Sequence, residues 1–186
     1  MTEAKQHPEA KIDPKALAEV SNKVDLTSIR LESISSKVEQ SQFVSASAIF
    51  LEFEYNCLWR RRDERPGFDV RFEFRSSLSQ SAVTDQPSSS FFKFELVYIL
   101  EYALKEIAPS DWEHRLDLFA NINGVVNIWP YVRAELASTL SKTGLPQLML
   151  PVYRPGRPSK GRVEFRASSS DHGQEAEAMT SRHAKA

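Results

Sequence analysis

The stretch Asn127–Gln147, "NIWPYVRAELASTLSKTGLPQ", carries the reading on which the fold turns. Ile128, Val132, Leu136 and Leu140 recur every fourth position, which places them on one stripe of a helix. Gly144 then stands where a helix is expected to stop in a left-handed backbone conformation. Pro130 interrupts the pattern, because it has no backbone N–H and its ring crowds the carbonyl one turn earlier. The stretch therefore predicts one main helix that is kinked or broken near Pro130, with a start close to Pro130 preferred and Trp129 and Tyr131 as packing anchors. Helical patterning extends upstream to Ser110, a candidate N-cap with Glu113 at capping-box spacing.

Ahead of the helix the period changes from four to two. In "IFLEFEYNCLW" the positions Ile49, Leu51, Phe53, Tyr55, Cys57 and Trp59 share one face, and Glu52, Glu54 and Asn56 share the other. After the turn-rich "RRRDERPG", the run "FDVRFEFR" sets Phe68, Val70, Phe72 and Phe74 against Asp69, Arg71, Glu73 and Arg75, so the two runs form an antiparallel hairpin. "FFKFELVYILEY" adds a third strand whose second face also turns apolar at Val97 and Ile99, which predicts cover on both sides. Earlier, "LTSIRLESISSKV" alternates imperfectly and predicts a bulged first strand. The fold class is α+β: a four-stranded antiparallel sheet with the main helix packed on it.

The ends differ in composition. Residues 1–24 read as a flexible start with a short helix from Asp13 and Pro14 carrying Leu17 and Val20. Residues 25–153 read as one folded domain. Beyond Tyr153 only Val163, Phe165 and Met179 are sizeable hydrophobes, so 154–186 reads as a disordered polar tail.

Of the 186 residues 41% are hydrophobic, with eleven Phe, enough for a real core. The net charge of −1 supplies no global field for nucleic acid or an acidic membrane. One cysteine, Cys57, allows no intrachain disulfide and no cysteine-cluster zinc site. No apolar run reaches membrane-span length and "MTEAKQHPEAKIDPK" has no signal-peptide core, which predicts a cytoplasmic protein.

Catalytic signatures do not survive their context. Ser90–Lys93 matches S-x-x-K and Lys142–Gly144 matches K-T-G, but the serine opens a strand instead of a helix and the K-T-G ends a helix instead of lying on a strand. His7, His114, His172 and His183 lack ligand spacing, so no metal site, cofactor or catalytic residue is assigned. Arg60, Arg61 and Arg62 follow Trp59, and further basic residues dot the tail, which gives the alternative of a small RNA-binding module. Asp63, Glu64 and the neutral total weigh against it, and no nucleic acid is expected. Three aromatic strands supply more apolar face than one helix covers, which points to an oligomer core, an open binding face, or both.

The helix and its sequel are also specific. Asn127–Glu135 followed by Gly144–Val152, "GLPQLMLPV", resembles the SecB family of export chaperones, with its Asn-Ile-aromatic-Pro-Tyr helix and Gly-x-Pro-Gln-Leu-x-Leu loop. The resemblance implies a SecB-like sheet and an ATP-independent, non-enzymatic holdase that assembles as a homotetramer. Its partners would be unfolded clients, either export precursors or, as in the SecB-like branch associated with toxin–antitoxin systems, an antitoxin. The family's helix-connecting loop maps onto Leu145, Leu148, Leu150, Val152 and Tyr153, and its crossover loop onto Gln40–Ser47 with Phe43 and Val44; these are the implied client contacts. Ile128, Trp129, Tyr131, Val132, Leu136 and Leu140 are assigned to core and oligomer packing. After Tyr153 the family's second helix and motor-docking tail have no counterpart, so the resemblance does not extend to the translocation motor.

Overall fold

The computed structural model describes residues 14–39, 48–63, 65–80, 90–105, 112–146, 148–155 and 159–165. α1 (Pro14–Lys23) runs directly into β1 (Val24–Val38), and β2 (Ile49–Arg61), β3 (Gly67–Gln80) and β4 (Ser90–Leu104) follow. All pairings are antiparallel, and β1 lies beside β4, giving the order β1-β4-β3-β2. A fifth strand, β5 (Lys160–Phe165), pairs with the outer edge of β2. The sheet thus has five strands instead of the four that alternation predicts, and β5 falls inside the stretch whose composition reads as tail. A polar six-residue strand carries too few hydrophobes to stand out, because it forms on an edge that β2 already provides.

One face of the sheet is the core. Phe68, Val70, Phe72 and Phe74 of β3 and Phe92, Phe94, Leu96, Tyr98 and Leu100 of β4 are buried there. Each such fully buried side chain contributes roughly 1.5–3 kcal/mol before ordering costs. The opposite face carries charge ladders in which Arg71 meets Glu73 at 3.0 Å and also Glu32, and Arg75 lies 3.9 Å from both Glu54 and Glu95. Within that charged face Ile99 is buried between its register partners Arg30 and Arg71.

β1 is bulged, as its broken alternation predicts. Register steps fall between Leu26 and Ser28 and between Leu31 and Ser33. Each step takes one residue out of phase, so Leu26, Ile29, Leu31 and Ile34 all face the helix side, opposite Tyr102, Leu100, Tyr98 and Leu96.

The main helix does not start at Pro130. α2 (Glu113–Phe119), a π-helical turn (Ala120–Gly124) and α3 (Val125–Lys142) follow one another without a break, and Pro130 lies inside α3. Val125, Ile128, Trp129, Val132, Leu136 and Leu140 are buried against the sheet, and together they outweigh the roughly 3 kcal/mol that an interior proline costs. Pro130 itself is exposed on the outward stripe with Val126, where water can bond the carbonyl that lacks a donor. The helix ends as predicted. Gly144 has φ of 71°, and the amides of Leu145 and Gly144 donate to the carbonyls of Leu140 and Ser141 at 3.1 and 3.3 Å. The candidate caps Asp13 and Ser110 lie outside the described residues.

Candidate functional site

Two apolar regions lie on the helix side of the sheet, one at each end. The first is an aromatic pocket at the β2 edge. β2 points Phe53 and Tyr55 toward α3, which contributes Trp129, while the chain leaving Gly144 returns Pro151, Val152 and Tyr153 across the same spot. Trp129 lies with its ring centroid 5.8 Å from Phe53, 5.8 Å from Tyr55 and 5.7 Å from Tyr153. Its indole Nε1 donates to the carbonyl of Pro151 at 2.8 Å, which fixes the returning segment to the helix. The Tyr153 hydroxyl donates to the carbonyl of Asn121 in the π turn at 3.3 Å. The resulting cavity measures about 310 Å³ and is bordered at the sheet edge by Lys160, Gly161, Arg162 and Val163 of β5. Burial raises the phenol pKa of both Tyr55 and Tyr153 above the ordinary 10.0, so both rings stay neutral, and the charge at the pocket comes from Arg154, Lys160 and Arg162 on its lining.

The second region is open. Leu26, Leu31 and Ile34 of β1 are 39%, 39% and 42% exposed on the helix side, which α3 does not reach. Tyr131 of α3, 48% exposed, sits 6.2 Å from the ring of Tyr98, the register partner of Leu31. An apolar strip therefore runs from the helix across β4 to the β1 edge, which no described strand covers, and patches of this kind mark surfaces that meet another molecule.

The residues assigned from sequence divide between these places. Leu145, Leu148 and Leu150 are buried in the core, whereas Val152 is 66% exposed and Tyr153 lines the pocket. The three leucines are turned into the core, and Met149 and Val152 of the same segment are exposed. Phe43 and Val44 lie outside the described residues. Ile128, Trp129, Val132, Leu136 and Leu140 are core residues of the single chain, and burial there leaves them no area for an oligomer interface; only Tyr131 of that set faces outward.

Sequence reasoning missed Gly161 and Val163, although "KGRVEF" does alternate Lys160, Arg162 and Glu164 with Gly161, Val163 and Phe165. It also missed the Trp129–Pro151 hydrogen bond, which depends on a turn that no periodicity encodes. Arg62 is held by Asp69 at 2.6 Å and Glu101 at 3.2 Å, and Arg60 lies 3.5 Å from Asp69, so this turn is a charge-balanced cluster. Among the described residues no metal-binding group of His, Cys, Asp or Glu forms, and no helix is long and apolar enough to cross a membrane. Burial pushes the Cys57 thiol up to about 12, which leaves it protonated and unreactive at neutral pH.

No protein-family model matches the chain, and no curated protein matches it. Among solved structures, the fold is similar to that of the Mycobacterium tuberculosis SecB-like chaperone Rv1957 in complex with a ChAD peptide from the Rv1956 HigA1 antitoxin. The two share 16% identity with a TM-score of 0.63, covering 75% of this chain and 97% of that one. The chain therefore has a SecB-like fold.

Proposed function

We propose that this protein is an ATP-independent chaperone that holds unfolded or aggregation-prone client segments against its apolar surfaces. The observation that carries this reading is the surplus of apolar surface: a five-stranded sheet under one helical run has both an aromatic pocket and an open strip. A holdase needs many weak apolar contacts and no reacting group, and such contacts give affinity only as the surplus over ordering costs. The fold likeness to a chaperone solved with an antitoxin peptide supports the reading and favours an antitoxin as client over an export precursor.

Val152 and Tyr153, with the pocket residues Phe53, Tyr55 and Trp129, are the proposed client contacts. Leu145, Leu148 and Leu150 anchor the segment that presents them. Phe43 and Val44 are proposed as further contacts on the family resemblance. The strip of Leu26, Leu31, Ile34 and Tyr131 is the proposed assembly surface of a homotetramer working in the cytoplasm.

The test is light scattering of a slowly refolding client in the presence of the protein, with native mass measured on the same samples. Aggregation is expected to be suppressed at stoichiometric protein, and a client–oligomer complex should appear. Scattering as fast as in buffer alone sinks the holdase reading.

A further inference from the structure

β5 holds the edge of β2 beside the aromatic pocket, and little in its own side chains fixes it there. It spans six residues against thirteen in β2 and pairs only with Ile49–Glu54. Its inward positions are Gly161 and the partly buried Val163 and Phe165, opposite Phe53, Leu51 and Ile49. Among its outward positions Lys160 pairs with Glu54 at 3.0 Å and Arg162 with Glu52 at 3.6 Å, exposed ion pairs of the kind that contributes little in water. Arg162 also lies 4.2 Å over the ring of Phe50. Besides the partial burial of Val163 and Phe165, β5 is held by the backbone ladder, and a ladder is satisfied by any extended segment whatever its sequence. Gly161 is seated so closely on Phe53 that a Cβ there would lie 2.4 Å from Cζ, so β5 borders the pocket with no side chain at that position.

Building on the chaperone reading, we propose that β5 is a resident stand-in for client: the β2 edge and its aromatic pocket form the docking surface, and an extended client segment enters by exchanging with residues 160–165. The chemistry of that segment follows from what β5 meets. Apolar side chains at alternate positions face Leu51 and the pocket, while Lys or Arg between them faces Glu52 and Glu54. An alternating segment with acidic residues in the outward places meets like charge.

Competition of this kind reduces apparent affinity by the fraction of molecules in which the edge is free. An occupancy of about nine in ten for β5 would correspond to a roughly tenfold gain in client binding on its removal.

The test uses the full chain in three forms. Val163→Asp with Phe165→Ser weakens the seat of β5. Glu52→Cys with Arg162→Cys places a disulfide across one register pair and is compared with itself after reduction, so folding is held constant. The probe is a fluorescent synthetic peptide alternating valine and lysine, read by anisotropy beside an alternating valine and glutamate peptide; a client aggregation assay runs in parallel. The opened variant should bind the basic peptide roughly tenfold more tightly than the unmodified chain, and the disulfide form more weakly than its reduced self. The acidic peptide should bind worse throughout.

Equal binding by the oxidised and reduced forms overturns the role of β5, as does weaker binding by an opened variant that keeps its native circular dichroism. If that variant fails to fold, the oxidised and reduced comparison decides alone. Equal retention of both peptides overturns the assigned client chemistry. Should the unmodified chain suppress aggregation while the oxidised and reduced forms match, only the β5 assignment falls. Should no form bind peptide or slow aggregation, the chaperone reading falls with it.

Discussion

At one end of the sheet β1 leaves Leu26, Leu31 and Ile34 open to solvent, and at the other β2 tucks Phe53 and Tyr55 beneath Trp129, Tyr153 and β5. The two edges begin with similar apolar chemistry and end differently because of where the chain goes after Gly144. The left-handed turn at that glycine and the Trp129–Pro151 hydrogen bond send the segment back across the β2 side, and no described segment returns to β1. Cover is thus a property of chain path, and the residues themselves do not announce which edge receives it.

The comparison breaks most severely at the covered edge. Trp129→Ala removes a buried ring together with the anchor of Pro151 and should cost about 3–5 kcal/mol in denaturant unfolding. It should also weaken client peptide binding while the native mass stays unchanged; a change in oligomer size instead would mean that the two edges are not independent.

At the open edge the double change Leu31→Asp with Ile34→Asp should leave the single chain nearly as stable as before. On the proposed assembly surface its effect is expected in oligomer formation, where each lost side chain would remove roughly 1.5–3 kcal/mol of burial. Native mass spectrometry should show monomers, and an oligomer that survives would place the assembly surface elsewhere.

Smaller effects sharpen the path between them. Gly144→Ala forces a side chain into the left-handed region and should cost about 1–2 kcal/mol, with protease sensitivity rising in residues 145–155 before the sheet is affected. Val152→Ser should change stability by less than ~0.5 kcal/mol yet weaken client retention, because the side chain is exposed. Retention identical to the unmodified chain would remove Val152 from the contact surface.

Much of this was legible in the residues. The alternation in β2, β3 and β4, the bulging of β1 and the stop at Gly144 all follow from local pattern, since each depends on neighbours in sequence. β5 was not legible because its partner lies more than a hundred residues away, and a strand that borrows an existing edge needs no strong pattern of its own. The start of the helix was misplaced for a related reason: burial on both sides of Pro130 carries the helix through a residue that local propensity reads as a boundary. Of the residues that the loop motif names, Val152 is exposed and Tyr153 lines the pocket. That Val152 is exposed although it lies two residues from the buried Leu150 depends on which way the returning segment faces.

The two bulges in β1 have a consequence for who may join that edge. A strand with interrupted phase offers its free donors and acceptors in short straight runs, the longest being Ser33–Val38, separated by steps that a flat partner cannot follow. A passing unfolded chain can therefore pair over only a few residues before the rungs fall out of step, whereas a strand with matching steps can pair along the full length. The irregularity acts as a key cut into the edge: an apolar border stays exposed without offering a flat template along which extended chains could grow.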